Sequence, residues 1–161
     1  MVELMEKMIL TVNGTRREIE CDPTTPLIYI LRDKLGLTGS KLGCAQEQCG
    51  SCTILVNGEA VQCCVRAVSD FTADEITTIE GLSKDTIGRV VQEAFIESNA
   101  AQCGYCTPGI ISSATALLKK SAFPEDHEIR KALDKNLCRC GSHNRVLDAV
   151  KKASERLHHG R

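Results

Sequence analysis

Nine of the ten cysteines in this 161-residue chain, two of them adjacent, fall into two constellations whose spacing suits metal chemistry. Cys44, Cys49 and Cys52 follow C-x4-C-x2-C, the plant-type spacing of a 2Fe-2S site, and Cys63-Cys64 lie a short hairpin further on. Three thiolates from one loop can wrap one side of a cluster while a fourth arrives from a neighbouring element. Gly39, Gly43 and Gly50 bracket that loop. They are expected to let backbone amides turn inward and donate to sulfur, which raises the reduction potential of a negatively charged centre. Because successive strand residues face opposite ways, only one of Cys63 and Cys64 is expected to ligate. The other, like Cys21, reads as a small buried hydrophobe.

The second constellation pairs Cys103-Gly104-Tyr105-Cys106 with Cys138-Arg139-Cys140. Thiolates cannot be left unpaired in an interior, so four thiols meeting at one end of a helical domain call for a metal. Zinc also accepts four cysteines, although the tight Cys138-x-Cys140 pair is less usual in structural zinc sites than C-x2-4-C. A thioredoxin-like dithiol leaves the second pair unexplained. His127, His143, His158 and His159 show no ligand spacing and read as solvated, the last two in a polar tail expected to fray. No nucleophile–base pair, phosphate loop or carboxylate dyad is visible, so the chain by itself is not expected to make or break bonds.

The elements that must position these thiols change character midway. Met8–Val12 and Thr15–Cys21 flank Asn13-Gly14, and Thr53–Val56 and Glu59–Val61 flank Asn57-Gly58, which predicts two hairpins. Thr25-Pro26 opens a predicted helix carrying Leu27, Ile30, Leu31 and Leu35 and ending at Gly36, and Ile76–Ile79 reads as a last strand. From Gly81 the period becomes helical. Stripes begin at Ile87, at Ile110 behind the cap Thr107 and first residue Pro108, at Ile129 and at Val146, and they predict four amphipathic helices. The expectation is an α+β chain of two domains, residues 1–80 and 81–161, the second an all-α bundle, with the boundary near 78–84.

Composition narrows the function classes. Twenty Lys and Arg balance 21 Asp and Glu, with three Phe, two Tyr and no Trp, which excludes the basic, base-stacking surface of a nucleic-acid binder. No apolar run approaches the ~20 residues of a membrane span, and Met1–Lys7 lacks a signal core, so a cytoplasmic location is expected. There, cysteine at this density reads as ligation, not as a disulfide framework.

Gly43-Cys44 with Gln48-Cys49-Gly50-Ser51-Cys52, Gln102-Cys103-Gly104-Tyr105-Cys106-Thr107-Pro108-Gly109 and Asn136-Leu137-Cys138-Arg139-Cys140-Gly141 together resemble the iron–sulfur small subunit of molybdenum hydroxylases, the xanthine dehydrogenase, aldehyde oxidoreductase and carbon monoxide dehydrogenase family. The resemblance spans Ile9 to Leu157. Gly36-Leu37-Thr38-Gly39 and Cys140-Gly141-Ser142-His143-Asn144-Arg145 look most like isoquinoline 1-oxidoreductase-type alpha subunits, whereas many members carry Thr-Gly-Tyr after the last cysteine. Ser51, and the glycine-poor Ala45-Gln46-Glu47-Gln48, depart from the usual loop.

The resemblance implies an N-terminal β-grasp ferredoxin-like domain holding a distal 2Fe-2S cluster on Cys44, Cys49, Cys52 and Cys64. It also implies a four-helix domain holding a proximal 2Fe-2S cluster on Cys103, Cys106, Cys138 and Cys140. Gln102 and Cys140 would lie against the molybdopterin of a large molybdenum-binding partner subunit. The implied role is to pass single electrons from that molybdenum cofactor to a flavin (FAD) or cytochrome (haem) partner. The competing readings are a stand-alone two-cluster ferredoxin shuttle and a zinc-stabilised structural module. A net charge of −1 offers no acidic docking surface for a shuttle, and a permanent partner would need an apolar interface, expected around Thr107–Ile111.

Overall fold

The computed structural model describes residues 5–159; the N-terminal residues Met1–Leu4, part of the segment read above for a signal core, lie outside them. Strands β1 (Glu6–Val12) and β2 (Thr15–Cys21) pair antiparallel, as do β3 (Thr53–Val56) and β4 (Glu59–Gln62). Both turns are built as their sequences require. Asn13 and Gly14 have φ of 53° and 73°, and Asn57 and Gly58 have 51° and 85°, the two positive φ values of a type I′ turn.

A short strand β5 (Glu75–Thr77) slots between the hairpins, parallel to β1 and antiparallel to β3, giving a mixed sheet of order β2-β1-β5-β3-β4. The two turn asparagines hold β5 at its ends. Asn57 Oδ1 accepts the Glu75 amide at 2.9 Å, and Asn13 Oδ1 accepts the Thr78 amide at 2.9 Å. Thr78 leaves the strand there, and Ile79, expected to end it, instead opens the short helix α2 (Ile79–Leu82).

The first helix also differs from expectation. Helix α1 (Leu27–Tyr29) has Pro26 at its N-cap without a side-chain cap from Thr25, and it runs into a π-helical turn over Ile30–Lys34, in which the Leu35 amide reaches back to the Ile30 carbonyl at 3.0 Å. Its Leu27, Ile28, Ile30 and Leu31 are buried in one core with Leu10, Ile54 and Phe71.

Four longer helices follow: α3 (Thr86–Glu97), α4 (Thr107–Lys120), α5 (Asp126–Leu133) and α6 (His143–His159). Asp85 caps α3 by accepting the Gly88 amide at 2.8 Å, and Glu125 with Glu128 forms a capping box on α5. Cys106, not Thr107, occupies the N-cap of α4. Helix α3 packs on α6 and α4, while α4 lies against α5 and against β3 and β4. The stripes led by Val91, Ile110, Ile129 and Val146 form a second core, to which Leu55 of β3 belongs. All four β3 residues are buried, Ile54 and Val56 toward α1 and Leu55 toward α4. Each such apolar side chain contributes about 1.5–3 kcal/mol on leaving water, so β3 ties both layers together.

Two further expectations are corrected. Ile110 and Ile111, sought at an exposed interface, are only 3% and 6% exposed because they face this second core. The C-terminal tail does not fray at His158, whose ring lies 3.9 Å from that of Phe123 while α6 continues to His159. Among the described residues no helix is long and apolar enough to cross a membrane.

Candidate metal centres

The loop between the π-turn and β3 curls so that its amides point at sulfur. Cys44 Sγ accepts from the amides of Gln46 (3.3 Å), Gln48 (3.3 Å) and Cys49 (3.4 Å), Cys49 Sγ from that of Cys44 (3.3 Å), and Cys64 Sγ from that of Glu47 (3.4 Å). The inward amides therefore belong to non-glycine residues. Of the three bracketing glycines only Gly50 has a positive φ, 70°, while Ala45 and Glu47 take the left-handed region at 54° and 53°. A loop poor in glycine keeps the amide pattern at a strain of about 1 kcal/mol or more per residue. Gly39 and Gly43 serve close approach: a Cβ on Gly39 would overlap Ile79, and one on Gly43 would press on Cys49 Sγ.

These donors act on ionisation. Burial disfavours the Cys44 thiolate, but the amides of Gln48, Gln46 and Cys49 outweigh it and bring the thiol down to about 7. Cys52, buried at the foot of β3, is pulled down by thiol hydrogen bonds from Cys63 and Cys64 against its burial. Cys64 is pushed up, first by burial. Cys63 is driven up by its hydrogen bond with Cys52 and by burial, and its thiol donates to the Cys52 carbonyl at 3.0 Å. Of the adjacent pair, Cys64 thus meets the Glu47 loop amide, whereas the Cys63 thiol bonds to Cys52. Cys21, the last residue of β2, sits apart and is buried.

The second constellation assembles where α4 and α6 begin. Cys103 and Cys140 are exposed and hydrogen-bond one another, which lowers the first after the Tyr105 amide and raises the second. Cys106 and Cys138 lie deeper. Burial pushes Cys106 up to about 12. It also acts on Cys138, but the Ser142 hydroxyl and amide, the Cys140 amide and the Cys106 thiol bring Cys138 down to about 7. Gly104 and Gly141, with φ of 81° and 78°, turn the two segments toward each other. Gln102 is exposed beside Cys103. His127 is exposed with its Nδ1 3.2 Å from Glu125 Oε2, while His143 opens α6 at the rim of a ~380 Å³ hollow, so neither joins a thiol group.

Sequence reasoning missed the junction between the two groups. The Leu137 amide donates to the Cys49 carbonyl at 2.9 Å, Asn136 Nδ2 to the Gly50 carbonyl at 3.2 Å, and Tyr105 Oη to the Leu42 carbonyl at 2.6 Å. Gly109 of α4 lies so close that a Cβ there would overlap the Gly50 carbonyl oxygen. Only the glycines at 50 and 109 hinted at it.

Two thiol-rich sites, one lined with inward amides and the other with four thiols that act on one another's ionisation, suit soft iron–sulfur centres in chemistry and donor count. Two family models match in succession, "2Fe-2S iron-sulfur cluster binding domain" over residues 10–83 and "[2Fe-2S] binding domain" over 78–151. The small FeS subunit of nicotinate dehydrogenase from Eubacterium barkeri is 42% identical over 147 residues, covering 91% of this chain and 94% of that one. The alpha subunit of isoquinoline 1-oxidoreductase from Brevundimonas diminuta is 41% identical, covering 86% and 91%. The crystal structure of quinoline 2-oxidoreductase from Pseudomonas putida 86 superposes with a TM-score of 0.89 at 34% identity, covering 97% of this chain and 98% of that one. The chain belongs to the iron–sulfur small subunits of the molybdenum hydroxylase family, as a non-catalytic 2Fe-2S subunit of an oxidoreductase.

Proposed function

We propose that this chain relays single electrons from the molybdenum cofactor of a large partner subunit to a flavin or cytochrome acceptor. Residues 1–80 act as a β-grasp ferredoxin-like domain and 81–161 as a four-helix domain. Cys44, Cys49, Cys52 and Cys64 hold the distal 2Fe-2S cluster, and Cys103, Cys106, Cys138 and Cys140 the proximal one. When bound, each cluster supplies one-electron redox chemistry. Within these sets Cys44 neighbours Cys49, Cys52 neighbours Cys64, Cys103 neighbours Cys140 and Cys106 neighbours Cys138, so each set would offer four thiolates to its cluster. The exposed Cys103, Cys140 and Gln102 face the molybdopterin, and the exposed Ala45, Gln46 and Gln48 face the acceptor. A reducing cytoplasm suits thiols reserved for ligation.

The observation that carries this reading is the 2.9 Å hydrogen bond from the Leu137 amide to the Cys49 carbonyl. It links the residue before one ligand to the backbone of another, so the two thiol groups share a short bonded connection. The test is metal analysis with low-temperature EPR on the dithionite-reduced native complex. Four irons per chain, two one-electron signals and molybdenum in the partner are expected; zinc, or two irons with one signal, would refute the reading. Cys103→Ser should remove one signal and stop turnover with every acceptor.

A further inference from the structure

We propose that two buried serine hydroxyls, Ser51 and Ser142, set the relative potentials of the two sites by donating hydrogen bonds to the Cys49 and Cys138 sulfurs. This rests on the ligand assignment above. Ser51 Oγ lies 3.5 Å from Cys49 Sγ, and Ser142 Oγ lies 3.2 Å from Cys138 Sγ. Both serines are closed off from water, at 5% and 2% exposure, and among the described residues neither hydroxyl has another hydrogen-bond partner. With free thiols Cys49 Sγ donates to Ser51 Oγ, and either atom can donate between Cys138 and Ser142; a metal-bound thiolate has no proton to give, so ligation would make each hydroxyl the donor.

Both hydroxyls are held in place by backbone. Ser51 is pinned by the Lys41 amide donating to its carbonyl at 3.0 Å, with the Cβ-less Gly43 packed against its side chain. Ser142 sits at the entry of α6, its carbonyl accepting the Val146 amide at 3.0 Å. Their cysteines also flank the junction, since Cys49 offers the carbonyl that Leu137, the neighbour of Cys138, bonds.

The direction of the effect follows from charge. Taking up one electron makes the ligating sulfurs more negative, so a fixed donor binds the reduced state more strongly and raises the potential. Away from water that preference is not diluted. The step concerned moves a single electron between the two sites, with no bond made or broken and no proton transferred. The shorter contact to Cys138 gives Ser142 the larger share, so the pair governs how far the electron favours the α6 side.

The experiment is an EPR-monitored redox titration of the native complex carrying Ser51→Ala, Ser142→Ala or Ser142→Thr, after counting iron. Each alanine variant should keep four irons and lower the potential of one signal only, a different one in each case. The expected drop is up to about tenfold in the reduction equilibrium constant, ~59 mV for a one-electron couple, larger for Ser142. Ser142→Thr, which keeps the hydroxyl, should stay near the unmodified value. Unchanged potentials, a shift of both signals together, a threonine variant behaving like alanine, or iron loss in an alanine variant would each overturn the tuning role. Absence of two signals in the unmodified complex would instead refute the ligand assignment.

Discussion

At the scale of single residues, the sites turn on where each hydrogen of an amide or thiol points. Cys63 donates to the Cys52 carbonyl while Cys64 receives the Glu47 amide. A serine at 63 can make the same donation, so Cys63→Ser should leave the iron content intact, whereas Cys64→Ser should lose iron from one cluster; iron analysis and EPR read both. Ala45 and Glu47 pay for the inward amides with left-handed backbone. Ala45→Gly and Glu47→Gly relieve that strain but loosen the unfolded chain, leaving a net gain of ~0.5 kcal/mol each in a denaturant titration.

Between elements, close backbone approach does what side chains do elsewhere. Gly109 allows the start of α4 to touch the Gly50 carbonyl, and the loop before Cys138 docks on the same spot through Asn136 and Leu137. A methyl group at 109 must push the two loops apart. Gly109→Ala should cost roughly 1–3 kcal/mol, the usual range for overpacking, and slow electron passage between the sites, read by chemical denaturation and by freeze-quench EPR. Asn13 combines a left-handed turn position with bonds to both the amide and the hydroxyl of Thr78. Asn13→Ala should lose about 2 kcal/mol, measured by urea unfolding.

For the whole molecule, exposed ion pairs link elements that no hairpin or tight turn joins. Glu97 on α3 is held at about 2 by Arg156 and then Lys152 of α6, and Asp126 is held low by Lys151. Burial works to raise Asp85, but Lys119 and the Gly88 amide keep it low. Each carboxylate thus ionises more readily folded than unfolded, where the values are about 4.3 for Glu and 3.9 for Asp. Their stabilisation is complete above those values and is lost as pH falls toward 2. Denaturant midpoints should decline over that window, and Glu97→Gln should flatten the decline; an unaltered acid limb would refute the role of this pair. High salt should weaken the effect, since these charges face solvent.

Spacing picked out seven thiols and left Cys63 and Cys64 open, because a cluster constrains how many residues separate its ligands in a loop, and the family resemblance favoured Cys64. Asn-Gly at two places wrote both hairpins, since few other residues accept two positive φ values in succession, and the helical stripes of the second half were visible as period. Three features depended on tertiary structure because they join residues distant in the chain. The Asn13–Thr78 contact ended β5 before Ile79; the second core drew in Ile110 and Ile111; and the α4 start met the first cysteine loop at Gly50. The last of these brings the two thiol groups into one connected path, and it arises because β3 is buried on both faces, forcing the helices to rest on the sheet that carries the other site.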